Sequence, residues 1–200
     1  YLNLIGPGGL RRSYSMANAP QADGRLEFFI RRVAGGAMSD YWFQRAAPGD
    51  LLRIDGPRGS FYLRPPAGRD LVLLATGTGI APIKALLDAL VATVAADAAA
   101  APRSIHLLWG GRQPADLFWT PACAGLPLVY TPVLSRAGSE WHCARGHVQQ
   151  VLLQGWPDLT QAEVYACGSS AMLATAEQAL LAAGLPARRF HADAFVSSAP

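Results

Sequence analysis

The sequence predicts two folding units in one chain: a small antiparallel β-barrel over residues 1–66, then an α/β domain with a parallel sheet over residues 70–200. Three observations carry this. Short apolar runs alternate with the turns Gly6-Pro7-Gly8-Gly9, Ala47-Pro48-Gly49-Asp50 and Gly56-Pro57-Arg58-Gly59, a spacing typical of small all-β units. From Arg69 onward strand-like runs alternate with helical periodicity, which implies parallel strands joined by crossover helices. Between the two regions, Arg64-Pro65-Pro66-Ala67-Gly68 has the composition of a linker.

In the first unit, strands are expected at Leu2 to Ile5, Leu26 to Ile30, Leu51 to Ile54 and Phe61 to Leu63. A short helix is expected from Met38 to Gln44, with Ser39 near its start. The second unit opens with Leu71 to Leu87, LVLLATGTGIAPIKALL. A buried strand (Leu71 to Ala75) breaks at Thr76-Gly77-Thr78-Gly79. A helix follows, with Pro82 in its tolerant first turn and Ile83, Leu86, Leu87 and Leu90 on one face. Glycine lets a backbone approach a ligand closely, and a helix start offers unpaired N–H groups to an anion, so this turn is a candidate phosphate site. Further strands are expected at Ser104 to Trp109, Leu128 to Leu134, Glu163 to Ala166 and Arg189 to Phe195. Helices are expected at Gly146 to Leu153 and Ala171 to Ala183, the latter closed by Gly184 and Pro186. The Ala-rich stretch Ala95 to Ala101 reads as a helix end and loop.

Composition narrows the function. Of 200 residues 51% are hydrophobic and 16% charged, which is globular usage. The chain begins Tyr1-Leu2-Asn3 without an initiator methionine or signal-peptide layout, so it reads as a fragment starting within a strand. No apolar run approaches the ~20 residues of a bilayer span, so no membrane partner is expected. Net charge is +3, and Lys84 is the single lysine. Without a lysine-rich run or an aromatic-interleaved basic stripe, no nucleic-acid partner is expected. Cys123, Cys143 and Cys167 lack C-x-x-C spacing. That argues against a disulfide framework or a metal site in this chain and for a reducing, cytoplasmic setting. His106, His142, His147 and His191 stand apart from each other and from acidic clusters, so spacing supports no hydrolytic site. Reactivity would then come from a bound redox cofactor. In open α/β sheets ligands sit beyond the carboxyl ends of the strands. Here those ends read Thr76-Gly77-Thr78-Gly79, Gly110-Gly111-Arg112, Ser135-Arg136 and Cys167-Gly168, which are small or phosphate-friendly.

The ordered motifs R-S-Y-S (Arg12 to Ser15), G-G-A-M-S (Gly35 to Ser39), G-P-R-G-S-F (Gly56 to Phe61), T-G-T-G-I-A-P (Thr76 to Pro82) and A-C-G-S-S-A-M (Ala166 to Met172) resemble the ferredoxin–NADP reductase superfamily. The ending F-H-A-D-A-F (Phe190 to Phe195) is similar to that of flavin reductases and of the reductases of 3,6-dideoxysugar synthesis and ring-hydroxylating oxygenases. A-M-S-D-Y-W-F and L-L-R-I-D-G-P-R-G-S-F most resemble CDP-6-deoxy-glucoseen reductase-like proteins.

The resemblance implies an FAD-binding barrel, N-terminally incomplete because relatives carry about one more strand pair before the Tyr1 position, followed by an NAD(P)-binding domain. It implies that Arg12 pairs with the flavin pyrophosphate, Tyr14 stacks on the isoalloxazine and Ser15 bonds near its reactive nitrogen. Gly35, Gly36, Met38 and Ser39 would cradle the pyrophosphate. Thr76, Gly77, Thr78 and Gly79 would take the nicotinamide-nucleotide pyrophosphate, with Gly111 and Arg112 at the neighbouring strand end. Cys167 and Gly168 would lie beside the nicotinamide, and Phe195 would cover the other flavin face. Ser135 and Arg136 match the Ser-Arg of relatives that prefer the 2′-phosphorylated nucleotide. Ser15, Cys167 and Phe195 are thus the expected catalytic residues, and no metal is expected in this chain. Many relatives add a [2Fe–2S] module as a separate N-terminal domain, and the cysteines here lack its spacing. The function implied is a flavoprotein passing electrons from NAD(P)H through FAD to an iron–sulfur centre or a redox partner protein such as an oxygenase, dehydrase or ferredoxin-type acceptor. Two alternatives stay open: a free-flavin reductase without an iron–sulfur domain, and a nucleotide-binding module without redox activity.

Overall fold

The computed structural model describes residues 1–156 and 158–195. The first unit contains a three-stranded antiparallel sheet ordered β2-β1-β3, built from β1 (Leu2–Ile5), β2 (Arg11–Tyr14) and β3 (Arg53–Asp55). Leu2 and Leu4 point into a small core with Met38 and Tyr41. Two expected strands are absent as ladders. Leu26 to Ile30 contributes one bridge, Phe28 to Met16. Its neighbours are tied by the buried Asn18, whose amide donates to the Arg25 carbonyl and whose oxygen accepts the Glu27 N–H. Side-chain bonds thereby take the place of a second strand. Phe61 to Leu63 runs without ladder pairing, and Phe61 packs instead edge-on against Tyr165. The third strand starts at Arg53, two residues later than the propensity suggests, because Leu51 lies 96% exposed outside the sheet. The short helix is real but composite: α1 (Ala37–Asp40) runs directly into a wide π turn, Tyr41–Arg45.

The second unit is a six-stranded parallel sheet ordered β7-β6-β5-β4-β8-β9. Its strands are β4 (Asp70–Thr76), β5 (Ser104–Gly111), β6 (Leu128–Leu134), β7 (Ala144–Arg145), β8 (Ala162–Ser169) and β9 (Phe190–Phe195). Alternate residues of β4 face opposite sides. Leu71, Leu73 and Ala75 meet Ile80, Ile83 and Leu87 of α2 (Ile80–Ala96). Val72 and Leu74 meet Val148 and Leu152 of α3 (Val148–Gly155) and Met172 and Leu173 of α4 (Ser170–Ala182). Burial on both faces explains why β4 reads as a continuous apolar run. Against the expectation of no such run, the helical stretch Gly77–Ala96 is long and apolar enough by length and composition to cross a membrane, with Lys84 and Asp88 its only charged residues. Its Ile80, Ile83, Leu87 and Leu90 are packed into the sheet core, as in any central helix of an α/β domain.

The two units touch at several points. The linker Arg64 N–H donates to the Tyr165 hydroxyl at 2.9 Å, and Phe29 packs edge-on to Phe118 with centroids 5.2 Å apart. Lys84 of α2 reaches the Ala17 carbonyl at 2.9 Å.

At the base of the sheet, buried Asp70 accepts from the Arg103 Nε at 2.8 Å and the Ser104 hydroxyl at 2.7 Å. The Arg103 guanidinium beside it holds this carboxyl below its ordinary value of 3.8, against the opposing effect of burial. A lowered folded pKa adds stability above the unfolded value, lost as pH falls through the folded one. Asp70→Ala should therefore cost about 2 kcal/mol in urea unfolding at pH 7. The gap to wild type should close as pH falls below 3.8.

Candidate functional site

The strand order reverses beside β4: β5 lies on one side and β8 on the other. Ligand crevices of open parallel sheets form at such a switch point, beyond the carboxyl ends. Those ends are the Gly77–Gly79 turn after β4 and Cys167-Gly168 at the end of β8.

The two are in direct backbone contact. A Cβ on Gly79 would stand 2.2 Å from the Cys167 carbonyl oxygen, and a Cβ on Gly168 would stand 2.1 Å from the Thr76 hydroxyl oxygen. Glycine at both positions is what lets this seam close. Gly77 is different. It has φ +53° and open space where a Cβ would be, so its freedom serves the turn and leaves the face clear. The indole N–H of Trp109, fully buried in β5, donates to the Gly77 carbonyl at 3.0 Å and holds the turn from behind. The first residues of α2 lie directly beyond, and the N–H groups opening a helix have no intrahelical partner. A clear glycine face over a 17-residue helix fits a pyrophosphate.

One strand further, the β5 and β6 ends lie side by side. The Gly111 carbonyl accepts from the Ser135 N–H at 3.0 Å and its hydroxyl at 3.2 Å, and the Arg112 carbonyl accepts from the Arg136 N–H at 3.1 Å. Asp116 accepts from the Arg112 N–H at 2.7 Å, fixing the bend. The Arg112 and Arg136 side chains are exposed and, among the described residues, enter no ion pair. They are two uncommitted guanidinium groups at adjacent strand ends, chemistry suited to a phosphate.

On the antiparallel sheet, Arg12 and Tyr14 share a face of β2 by strand alternation. Arg12 is exposed, with one nitrogen on the Arg11 carbonyl at 2.8 Å. Tyr14 is half-buried, edge-on to Phe28 and Trp42, and its hydroxyl accepts the Trp42 indole N–H at 3.0 Å. Burial raises its pKa, so it is a neutral phenol at pH 7. In the Gly35 to Ser39 segment, Gly35 has φ +71° and nothing near its absent Cβ. The Met38 side chain is turned into the core against Gly6 and Tyr41, and the buried Ser39 hydroxyl accepts the Val33 N–H at 2.8 Å. For these two, the backbone N–H groups are what a phosphate could meet.

The decisive contact joins the halves. The Ser15 hydroxyl, at the end of the R-S-Y-S motif, donates to the Asp193 carboxylate at 3.3 Å. Asp193 lies on β9 directly beside Cys167 of β8 in the parallel register. Asp193 thus links Ser15 of the first unit to the β8 end at Cys167, and Phe195 packs against the same cluster as Cys167. A cavity of about 370 Å³ opens beside them, with Ser15, Asn18, Phe61, Pro82 and Asp193 in its lining. Burial pushes the Cys167 thiol well above its ordinary value, and the Asp193 charge adds to this, so it is a neutral thiol and no nucleophile. Burial likewise raises the Asp193 carboxyl, offset in part by the Ser15 bond. Asp193 is the site residue to which the sequence reading assigned no role. Its signal was present: in F-H-A-D-A-F, His191, Asp193 and Phe195 fall on one face of a strand.

Family models describe both units. One for the oxidoreductase FAD-binding domain matches residues 2–62, and one for the oxidoreductase NAD-binding domain matches residues 73–178. The chain belongs to the FAD- and NAD-binding oxidoreductases. Within that family it is 39% identical over 204 residues to CDP-6-deoxy-L-threo-D-glycero-4-hexulose-3-dehydrase reductase of Yersinia pestis, covering 99% of this chain and 59% of the relative. It is 31% identical to ferredoxin–NADP reductase B of Sorangium cellulosum, covering 98% and 83%. The solved ferredoxin reductase in carbazole 1,9a-dioxygenase superposes with a TM-score of 0.83 at 26% identity, covering 98% of this chain and 59% of that one. The chain thus spans about three-fifths of the Yersinia relative and of this solved reductase. The fold expectation, an antiparallel sheet unit followed by a parallel α/β unit, holds.

Proposed function

We propose that this oxidoreductase is the reductase part of an electron-transfer protein, taking electrons from NAD(P)H through FAD to an iron–sulfur centre or a redox partner. The observation that carries the reading is the Ser15–Asp193 bond. It brings the motif expected at the flavin against the strand ends expected at the nicotinamide. A bound flavin would supply the chemistry itself, accepting a hydride from the nicotinamide and releasing electrons singly.

The chain's own residues bind, orient and exclude water. Residues 1–66 form the flavin unit, in which Arg12 and the Gly35–Ser39 backbone hold the pyrophosphate and Tyr14 presents its ring. Residues 70–200 form the nucleotide unit. There the turn Thr76, Gly77, Thr78 and Gly79 seats a second pyrophosphate, with Gly111, Arg112, Ser135 and Arg136 beyond it. Cys167, Gly168 and Phe195 provide a close, largely apolar wall where two rings would stack. The Ser15 hydroxyl turns its proton to the Asp193 carboxyl beside them. Relatives named as reductases of a dehydrase and of dioxygenases support an acceptor protein as partner. Three unpaired cysteines suit a reducing cytoplasmic setting. The test of this reading is the cofactor of the purified full-length protein: extraction should release FAD at near one equivalent. Protein that binds nucleotide yet carries and accepts no flavin would favour the redox-inactive nucleotide-binding module.

A nucleotide preference follows from the paired strand ends. Arg136→Ala should raise the KM for NADPH by about tenfold or more, the worth of a charge-assisted bond to phosphate, and leave that for NADH within about twofold. Equal effects on both would show that Arg136 does not meet a 2′-phosphate.

A further inference from the structure

We propose that Lys84 is a positioning residue: its ammonium clamps the segment after R-S-Y-S to the helix behind the glycine turn and so sets the spacing of the two half-sites. The inference rests on the reading above for which halves those are. Lys84 is the one lysine among 17 basic residues, and its side chain is only 15% exposed. Its three N–H groups meet three acceptors: the Ala17 carbonyl at 2.9 Å, Glu27 Oε2 at 3.0 Å and Asp88 Oδ2 at 2.9 Å. Acceptors on separate segments suit a compact ammonium with three rotatable donors better than the planar fork of arginine.

The placement is what gives the clamp a role. Ala17 is fully buried and lies two residues past Ser15; its N–H donates to the Glu27 carbonyl at 2.7 Å. Ala17 and Glu27 therefore move as one piece with Ser15. Lys84 lies on α2, five residues past Gly79. Asp88, one helical turn further along α2, anchors the ammonium from within its own helix. Burial opposes its charge, yet Asp88 and Glu27 outweigh this and leave its pKa raised, so the clamp stays charged through the neutral range. None of Ala17, Glu27, Lys84 and Asp88 lines the cavity beside Ser15 and Asp193. The clamp acts through Ser15 and the turn, where a misplacement of about 1 Å costs up to 10²-fold in rate.

The experiment compares Lys84→Met, Lys84→Arg, Glu27→Ala and Asp88→Ala in the full-length protein purified with its flavin. Amide exchange of the 15–19 peptide needs no flavin and reads the clamp itself. It should rise in Lys84→Met and Glu27→Ala. Single-turnover flavin reduction in those two variants should slow about tenfold, with the nucleotide Kd within about twofold. Asp88→Ala, which keeps both cross-unit bonds, should stay within about twofold of wild type, and Lys84→Arg should recover part of the rate. Unchanged exchange in Lys84→Met overturns the clamp. Raised exchange with an unchanged reduction rate, or a loss lying wholly in Kd, overturns the positioning role. Should Lys84→Met fail to fold, Glu27→Ala decides the matter on the same two readouts. A wild-type protein without reducible flavin would instead sink the functional reading, with the exchange experiment still judging the clamp.

Discussion

Gly79→Ala should destabilise the protein by about 3 kcal/mol, the upper end of the usual overpacking cost, and abolish nucleotide binding. The added Cβ would lie 2.2 Å from the Cys167 carbonyl oxygen and 2.7 Å from its carbon. Both are backbone atoms of a central strand and cannot swing aside as a long side chain would. Gly168→Ala should cost less, about 2 kcal/mol, because the atoms its Cβ would meet, Thr76 Oγ1 at 2.1 Å and Met172 Cε at 2.9 Å, belong to side chains that can turn aside. Gly77→Ala provides the contrast. It meets no atom within 4 Å, though its φ is +53°, so it should cost only about 1 kcal/mol of conformational strain. Urea unfolding of the three variants reads the difference. Equal losses at Gly77 and Gly79 would mean that the seam between β4 and β8 is not close-packed.

The second large effect is expected at Asp193. On the proposed reading Asp193 faces the reacting rings, where losing a side chain able to take or give a proton costs about 10²-fold or more in rate. Asp193→Ala should therefore slow flavin turnover by at least about that factor, and Ser15→Ala should do nearly the same because the two share one hydrogen bond. Stability should move the other way. Burial raises the folded pKa of Asp193 above the ordinary 3.8, so the folded state binds the proton more tightly than the unfolded chain. Its stability contribution is full below 3.8 and is lost as pH rises through the folded value. Asp193→Asn, always neutral, should be at least as stable as wild type at pH 8 while remaining slow. A variant that is slow only because it is unfolded would contradict this division.

Much of this was legible in the residues because one rule governed each feature. The run at Leu71 to Ala75 is apolar throughout since β4 is covered on both faces, and Gly77 to Gly79 had to stand between strand and helix. Four strand ends of small or basic residues mark the crevice whatever the strand order. Parallel pairing then turned separate motifs into neighbours: Gly79 against Cys167, Gly111 against Ser135. The first unit was less legible. Leu26 to Ile30 has strand composition, but local propensity does not register that Asn18 satisfies its neighbours' backbone groups. Leu51 is apolar and almost wholly exposed, which no period within the run signals. The roles proposed for Lys84 and Asp193 are invisible in the sequence for a different reason. Each depends on a partner far away in sequence, Glu27 for one and Ser15 for the other, and spacing carries no record of such pairs.

The most direct measurement is an anaerobic titration of the full-length protein with NADPH and with NADH, followed by flavin absorbance. The bound flavin should bleach with about one equivalent of the preferred nucleotide. A bound flavin that neither nucleotide bleaches would contradict the proposed function.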